Sequence, residues 1–199
     1  MDLDGTLIET RYRQYDVFSL ACKHSIRISI EEFWNMKREG KTNEGILRDL
    51  NVSERKIKQY RNYWHQNIES KESLRKDFLF EFSIQTLQRW KIRGKILHLV
   101  TMRSKKNNLL WQIRSLNIEH FFESIIVCPH GKYSKSEAIQ RNFVVDKATS
   151  AIIGDTETDI EAGQSLGIFT IAVMSGIRNS KMLESHHPDI ILNSIAEID

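Results

Sequence analysis

The chain has 199 residues, 40% of them hydrophobic and 28% charged, with a formal charge of +3 and a pI near 8.8. That length and apolar fraction suffice for one well-packed domain with room for a subsidiary one, and the charge balance argues against long disordered tails. There is no concentrated basic stripe of the kind nucleic-acid binding needs, no apolar run long enough to span a membrane, and no cysteine framework, since Cys22 and Cys128 stand far apart without CxxC spacing.

The first element is the run MDLDGTL, two aspartates two residues apart before a Gly-Thr turn. From about residue 12 to 77 the pattern is helical and polar-rich. RYRQYDVFSLACKHS, SIEEFWNMKRE, TNEGILRDL and SERKIKQYRNYWHQNI each space apolar residues three or four apart. Ser29 followed by Glu32 is a capping box, Ser53 is a second N-cap, and Gly40 marks a helix end. Trp34, Trp64, Trp90 and Trp111 fall at helical spacings and are read as packing residues, and the basic run Arg55, Lys56, Lys58, Arg61 as a solvated helix face.

After residue 78 helices and strands alternate. SIQTLQRWKIRG is a helix ending at Gly94, and KILHLVT a strand. KKNNLLWQIRSLN is a helix, SIIVC a strand and SKSEAIQRNF a helix. AIIGD is a strand, TDIEAGQSLG a helix stopped by Gly167, and IFTIAV and DIILNS are the last strands. Short apolar strands separated by helices predict a parallel sheet covered on both faces. The fold class expected is therefore α/β, a Rossmann-like parallel core carrying a helical insertion near its start.

Ligands of open parallel sheets bind at the carboxyl ends of the strands. Thr101 ends the strand KILHLVT, Lys132 and Lys135 come after SIIVC, and Asp155 and Asp159 come after AIIG, with Asp2 and Asp4 opening the chain. Acids, a hydroxyl and a lysine on one edge suit a phosphate and a Mg²⁺ ion, which prefers carboxylate and phosphate oxygens. The mild positive excess fits a small anionic substrate.

At these residues the sequence resembles the haloacid-dehalogenase superfamily and its phosphoglycolate-phosphatase-like branch. MDLDGTL is similar to the first motif, LHLVTMR to the second, KSEAI to the third and IIGDTETDIEAG to the fourth. The resemblance implies a core of residues 1–11 and 78–199 and a helical cap of residues 12–77. It implies a Mg²⁺-dependent phosphatase that acts on a small phosphorylated metabolite through an aspartyl-phosphate. Asp2 would be the nucleophile and Asp4 the general acid, then base. Thr101 would hydrogen-bond the phosphoryl group and Lys135 neutralise charge. Mg²⁺ would be held by Asp2, the backbone carbonyl of Asp4 and Asp155, with Asp159 supporting the metal or the lysine. Lys132, in HGKYS, competes for the lysine role, but KSEAI is the better match. Arg103 and Lys41, the latter beside Thr42 in a helix–helix turn, are candidate substrate contacts. An acid at position 4 disfavours dehalogenation.

A phosphomutase, or a non-catalytic binding or regulatory protein of this fold, are the alternatives. A cytoplasmic protein with no nucleic-acid or membrane partner is expected. Only Met1 precedes Asp2, where the family carries a core strand, so the sequence is expected to begin downstream of its natural start.

Overall fold

The structure, a computed structural model, describes residues 1–22, 27–129 and 131–199. The last positions of the first predicted helix, residues 23–25, and His130 of HGKYS lie outside the described residues.

The parallel sheet forms from the predicted strands. β1 (Ile8–Glu9) pairs antiparallel with β2 (Phe78–Leu79) apart from it. In the main sheet β3 (His98–Thr101) runs parallel to β4 (Ser124–Val127). On the other side β5 (Ala151–Gly154), β6 (Phe169–Val173) and β7 (Ile190–Leu192) are parallel in that order. The chain's first residues join the two groups. The Val100 amide donates to the Met1 carbonyl at 2.9 Å and the Asp2 amide to the Ile153 carbonyl at 2.8 Å. Asp2 therefore lies between β3 and β5, in the middle of the sheet.

Strand alternation sends neighbouring side chains to opposite faces. Leu99 packs with Leu3, Leu87, Trp90, Leu109 and Ile113 on one face. Val100, its neighbour, packs with Ile126, Ala138, Ile139, Ile152 and Ala162 on the other. The first face is covered by α6 (Ser83–Ile92) and α7 (Lys106–Ser115), the second by α8 (Lys135–Asn142) and α9 (Glu157–Leu166). The four predicted core helices are all present, and α9 ends on Gly167 in the left-handed conformation.

The insertion holds α1 (Arg11–Ala21), α2 (Ile30–Arg38), α3 (Asn43–Asp49), α4 (Glu54–Asn67) and the short α5 (Lys71–Leu74). It has a core of its own around Phe18, Phe33, Ile46, Leu47, Ile57 and Tyr60, with the Phe18 and Phe33 rings 4.7 Å apart. The Ser29–Glu32 capping box forms and is worth about 1 kcal/mol. Ser53 precedes α4 but makes no side-chain cap. The small β1–β2 ribbon is not legible in the sequence. It lays the two crossings between insertion and sheet side by side, so both chain passages share one narrow connection.

Candidate active site

The predicted strand-end residues meet above the carboxyl edge of the sheet. Lys135 opens α8, whose N-cap Ser134 forms a capping box with Glu137, and this fixes the direction in which the lysine leaves the helix. Its Nζ lies 3.0 Å from Asp2 Oδ1 and 2.5 Å from Asp159 Oδ1, all three side chains being almost wholly buried. Asp159 Oδ2 accepts hydrogen bonds from the Thr156 backbone amide at 3.3 Å and the Thr156 hydroxyl at 2.7 Å. Both oxygens of Asp159 are thus used, one on the cap of α9 and one to aim the lysine. Lys132, by contrast, is exposed, so Lys135 is the lysine the fold brings to Asp2. Thr101, the buried last residue of β3, lines the same space.

Asp155 comes directly after β5. Its Oδ2 accepts from the Ile177 amide at 2.7 Å. A Cβ at Gly5 (φ +73°) would sit 2.2 Å from this oxygen, and one at Gly176 would sit 1.9 Å away. Two loops, 5–6 and 175–177, therefore close on the carboxylate with no room for a side chain. Gly176→Ala is expected to destabilise the protein by about 1–3 kcal/mol, the range for overpacking a close-packed site. Denaturant unfolding measures this, and a stability equal to wild type would show that the loop gives way freely.

Burial raises the Asp2 carboxyl to about 6, with Asp159 and Asp4 adding repulsion against the pull of Lys135. Burial, then Asp2 and Asp159, hold Asp155 well above the usual carboxylate range. Three buried carboxylates, from Asp2, Asp155 and Asp159, offer oxygens within 4.8 Å of one another against a single lysine. Such a set is uncompensated by its own neighbours and fits a divalent cation with a preference for oxygen donors.

Asp4 belongs to a second cluster. Arg103 grips its carboxylate with two hydrogen bonds, Nε to Oδ2 at 2.7 Å and Nη2 to Oδ1 at 2.6 Å. Arg13, on α1, donates to Asp4 Oδ1 at 3.0 Å, to Asp77 Oδ1 at 3.0 Å and to the Ile68 carbonyl at 3.0 Å. Gln112 completes the set with a 2.7 Å bond to Asp77 Oδ2. Burial alone would raise the Asp4 carboxyl, but Arg103 and Arg13 outweigh it and hold the group below its ordinary value. Arg103, a candidate phosphate contact in the sequence, has its fork on Asp4 in the fold. Arg13, Asp77 and Glu69 join the site without belonging to any sequence motif. The Glu69 carboxylate accepts from the Ser104 and Lys105 amides at 2.7–3.0 Å, tying the insertion to the loop after β3.

Asp2, Asp4, Thr101, Lys135, Asp155 and Arg103 line one cavity of about 880 Å³ between the sheet edge and the insertion, with Arg13 and Glu69 on the insertion's side. Lys41 and Thr42 line it too. Lys41 pairs with Asp49 at 2.6 Å, and Thr42 caps α3. Trp64, read from the sequence as packing, borders both the insertion's core and the cavity.

The family model of the haloacid dehalogenase-like hydrolases matches residues 1–173. The pyrophosphatase PpaX of Bacillus pumilus is 26% identical over 99% of this chain and 92% of its own. Among solved structures, a protein of Clostridium difficile assigned as a phosphatase superposes with a TM-score of 0.76 at 21% identity, covering 97% of this chain and 92% of that one. One from Lactobacillus delbrueckii subsp. bulgaricus assigned as a phosphoglycolate phosphatase superposes at 0.72 and 16%, covering 99% and 94%. At those identities the structures establish a shared fold.

Proposed function

The chain belongs to the haloacid dehalogenase-like hydrolases and is a hydrolase of the phosphatase type, and from that premise we propose that it is a Mg²⁺-dependent phosphatase of small phosphorylated metabolites. The observation that carries this reading is the convergence of Asp2, Lys135 and Asp155 at the sheet edge, buried and facing one cavity.

In this reading Asp2 attacks the phosphorus, the ester oxygen departs, and an aspartyl-phosphate forms. Lys135 stabilises the charge that builds on the phosphoryl oxygens, at a site where burial strengthens the interaction. Thr101, at the end of β3, donates its hydroxyl to a phosphoryl oxygen. Asp4 protonates the departing oxygen and then takes a proton from the water that hydrolyses the aspartyl-phosphate. Arg103 and Arg13 favour Asp4 as a carboxylate, the form needed for that second step. The proton it passes to the departing oxygen in the first step is therefore one it takes from the monoanionic phosphate group of the bound substrate. A Mg²⁺ ion would be held by Asp2, Asp155 and the Asp4 carbonyl, with Asp159 in support. Bound there, it would supply positive charge to the phosphoryl group.

Residues 12–77 act as the cap, and its closure over the cavity excludes water from the reacting groups. Hydrogen bonds from Arg13 to Asp4, from Arg38 to the Gly176 carbonyl and from the Lys105 amide to Glu69 join residues 12–77 to the core and support this reading. The Bacillus relative's name, pyrophosphatase, adds a pyrophosphate group to phosphomonoesters as a candidate substrate.

The expected result is phosphate release from p-nitrophenyl phosphate that needs added Mg²⁺ and stops on chelation. No turnover with any divalent ion would overturn the proposal.

A further inference from the structure

We propose that Lys37, held over the cavity beside Arg178, binds a second anionic group of the substrate, so that the preferred substrates carry a phosphate or carboxylate beyond the phosphoryl group that is transferred. This rests on the phosphatase reading above and names the substrate class for it.

Lys37 lies in the last turn of α2, and its backbone is fixed by the core. The Arg178 guanidinium donates to the Lys37 carbonyl at 2.9 Å, the Asn179 amide donates to the Arg38 carbonyl at 3.1 Å, and Arg38 itself donates to the Met174 and Gly176 carbonyls at 3.3 and 3.2 Å. The end of α2 is therefore docked on the loop after β6, the same loop whose Ile177 amide holds Asp155. This places the half-buried Lys37 side chain in the cavity wall.

The other cations of that wall are already engaged. Arg13 and Arg103 are on Asp4, Lys135 is on Asp2 and Asp159, Arg178 grips Glu157 with two 2.7 Å bonds, Lys41 is on Asp49, and Lys105 donates to the Gln66 carbonyl. The Lys37 ammonium makes no hydrogen bond or ion pair among the described residues, and the charges that act on it are those of Arg178, which disfavours its proton, and Glu157, which favours it.

Burial and then the like charge of Arg178 lower it to about 8, so the fold holds a cation where its surroundings disfavour the charge. A ligand anion relieves that cost. The cavity has room for it, since about 880 Å³ is in the range that holds a whole drug-sized ligand and far exceeds one phosphoryl group. The second anion can be the far phosphate of a phosphoanhydride or the carboxylate of a phosphorylated acid. Both present oxygens to a lysine in the same way.

The test is calorimetric binding with Mg²⁺ present, using methylphosphonate (one anionic group), methylenediphosphonate (a second phosphonate) and phosphonoacetate (a carboxylate). Wild type should bind at least one of the two-anion ligands about tenfold more tightly than methylphosphonate, the gain of one charge-assisted hydrogen bond. Which of the two shows the gain identifies the second group. Lys37→Met should cut that advantage to about threefold or less, and Lys37→Arg should restore most of it.

The proposal is overturned if wild type binds all three alike, or if Lys37→Met weakens all three by the same factor. Thermal melting of both variants separates a loss of fold from a loss of the contact. Binding needs no turnover, so failure of the phosphatase reading would show separately as no phosphate release from p-nitrophenyl phosphate.

Discussion

Asp2→Asn is expected to abolish phosphate release while leaving the metal-free protein as stable as wild type, or more so. The loss should be on the order of 10³-fold or more, since an amide cannot take the aspartate's place as nucleophile and the remaining groups only bind and polarise. The stability sign is set by the surroundings of Asp2. Its carboxyl sits at about 6, raised mainly by burial and then by Asp159 and Asp4. A carboxyl whose folded value lies above its unfolded one binds its proton more tightly in the fold. Its share of stability therefore falls as pH rises from about 4 through 6, and is gone above that. At pH 7.5 the ionised Asp2 is a burden on the metal-free fold, and the nearly isosteric amide removes it. Added Mg²⁺ should reverse the order, stabilising wild type more than the variant. Phosphatase assay and thermal melting with and without Mg²⁺ read both effects. Activity retained within tenfold would sink the nucleophile assignment, and a variant that is inactive because it has unfolded would show in the melting curve.

The contrast between what can and cannot be read from the sequence tracks sequence separation. Thr101, Lys135 and Asp155 are each carried by a local pattern, a short apolar strand leading into a turn or a helix start, and strand order puts such positions on one edge. The choice between Lys132 and Lys135 also has a local signal, because Ser134 with Glu137 is a capping box and the lysine opens the helix. The Asp4 clamp has none. Arg103 meets Asp4 across 99 positions, and Arg13 meets Asp77 across 64. An arginine within a helical pattern reads as a solvated charge until its partner is known. The one available hint is that Arg13 falls on the same helix face as Val17, Phe18 and their neighbours that turn inward. Gly176 and Lys37 are silent for the same reason. Each matters through a neighbour brought by a distant segment, Asp155 for one and the loop after β6 for the other. The two-residue ribbon β1–β2 is too short to leave a periodicity.

Lys135→Met carries the opposite stability sign from Asp2→Asn, and the pair tests the charge balance of the site. Lys135 is almost wholly buried between Asp2 and Asp159. Burial works against its charge, but those two carboxylates outweigh it and raise its affinity for the proton above the ordinary lysine value. A lysine whose folded value is raised contributes stability that is fully present below its unfolded value, and so at every pH from 5 to 9. Methionine keeps the stem and removes the charge. Asp2, Asp155 and Asp159 then face one another with no cation. Breaking a buried pair in this way costs about 3–5 kcal/mol. Turnover should fall by about 10²–10³, the effect of losing one preorganised electrostatic contact to the transition state. Two conditions should return much of the lost stability, because each supplies the missing positive charge: Mg²⁺, and a shift from pH 7.5 to 5.5 that protonates one of the carboxyls. Adding Asp2→Asn to Lys135→Met should also recover stability, since it removes one of the opposed carboxylates, so the double variant should melt above Lys135→Met alone. A double variant that melts below it would show that the lysine stabilises the fold by packing its stem rather than by its charge.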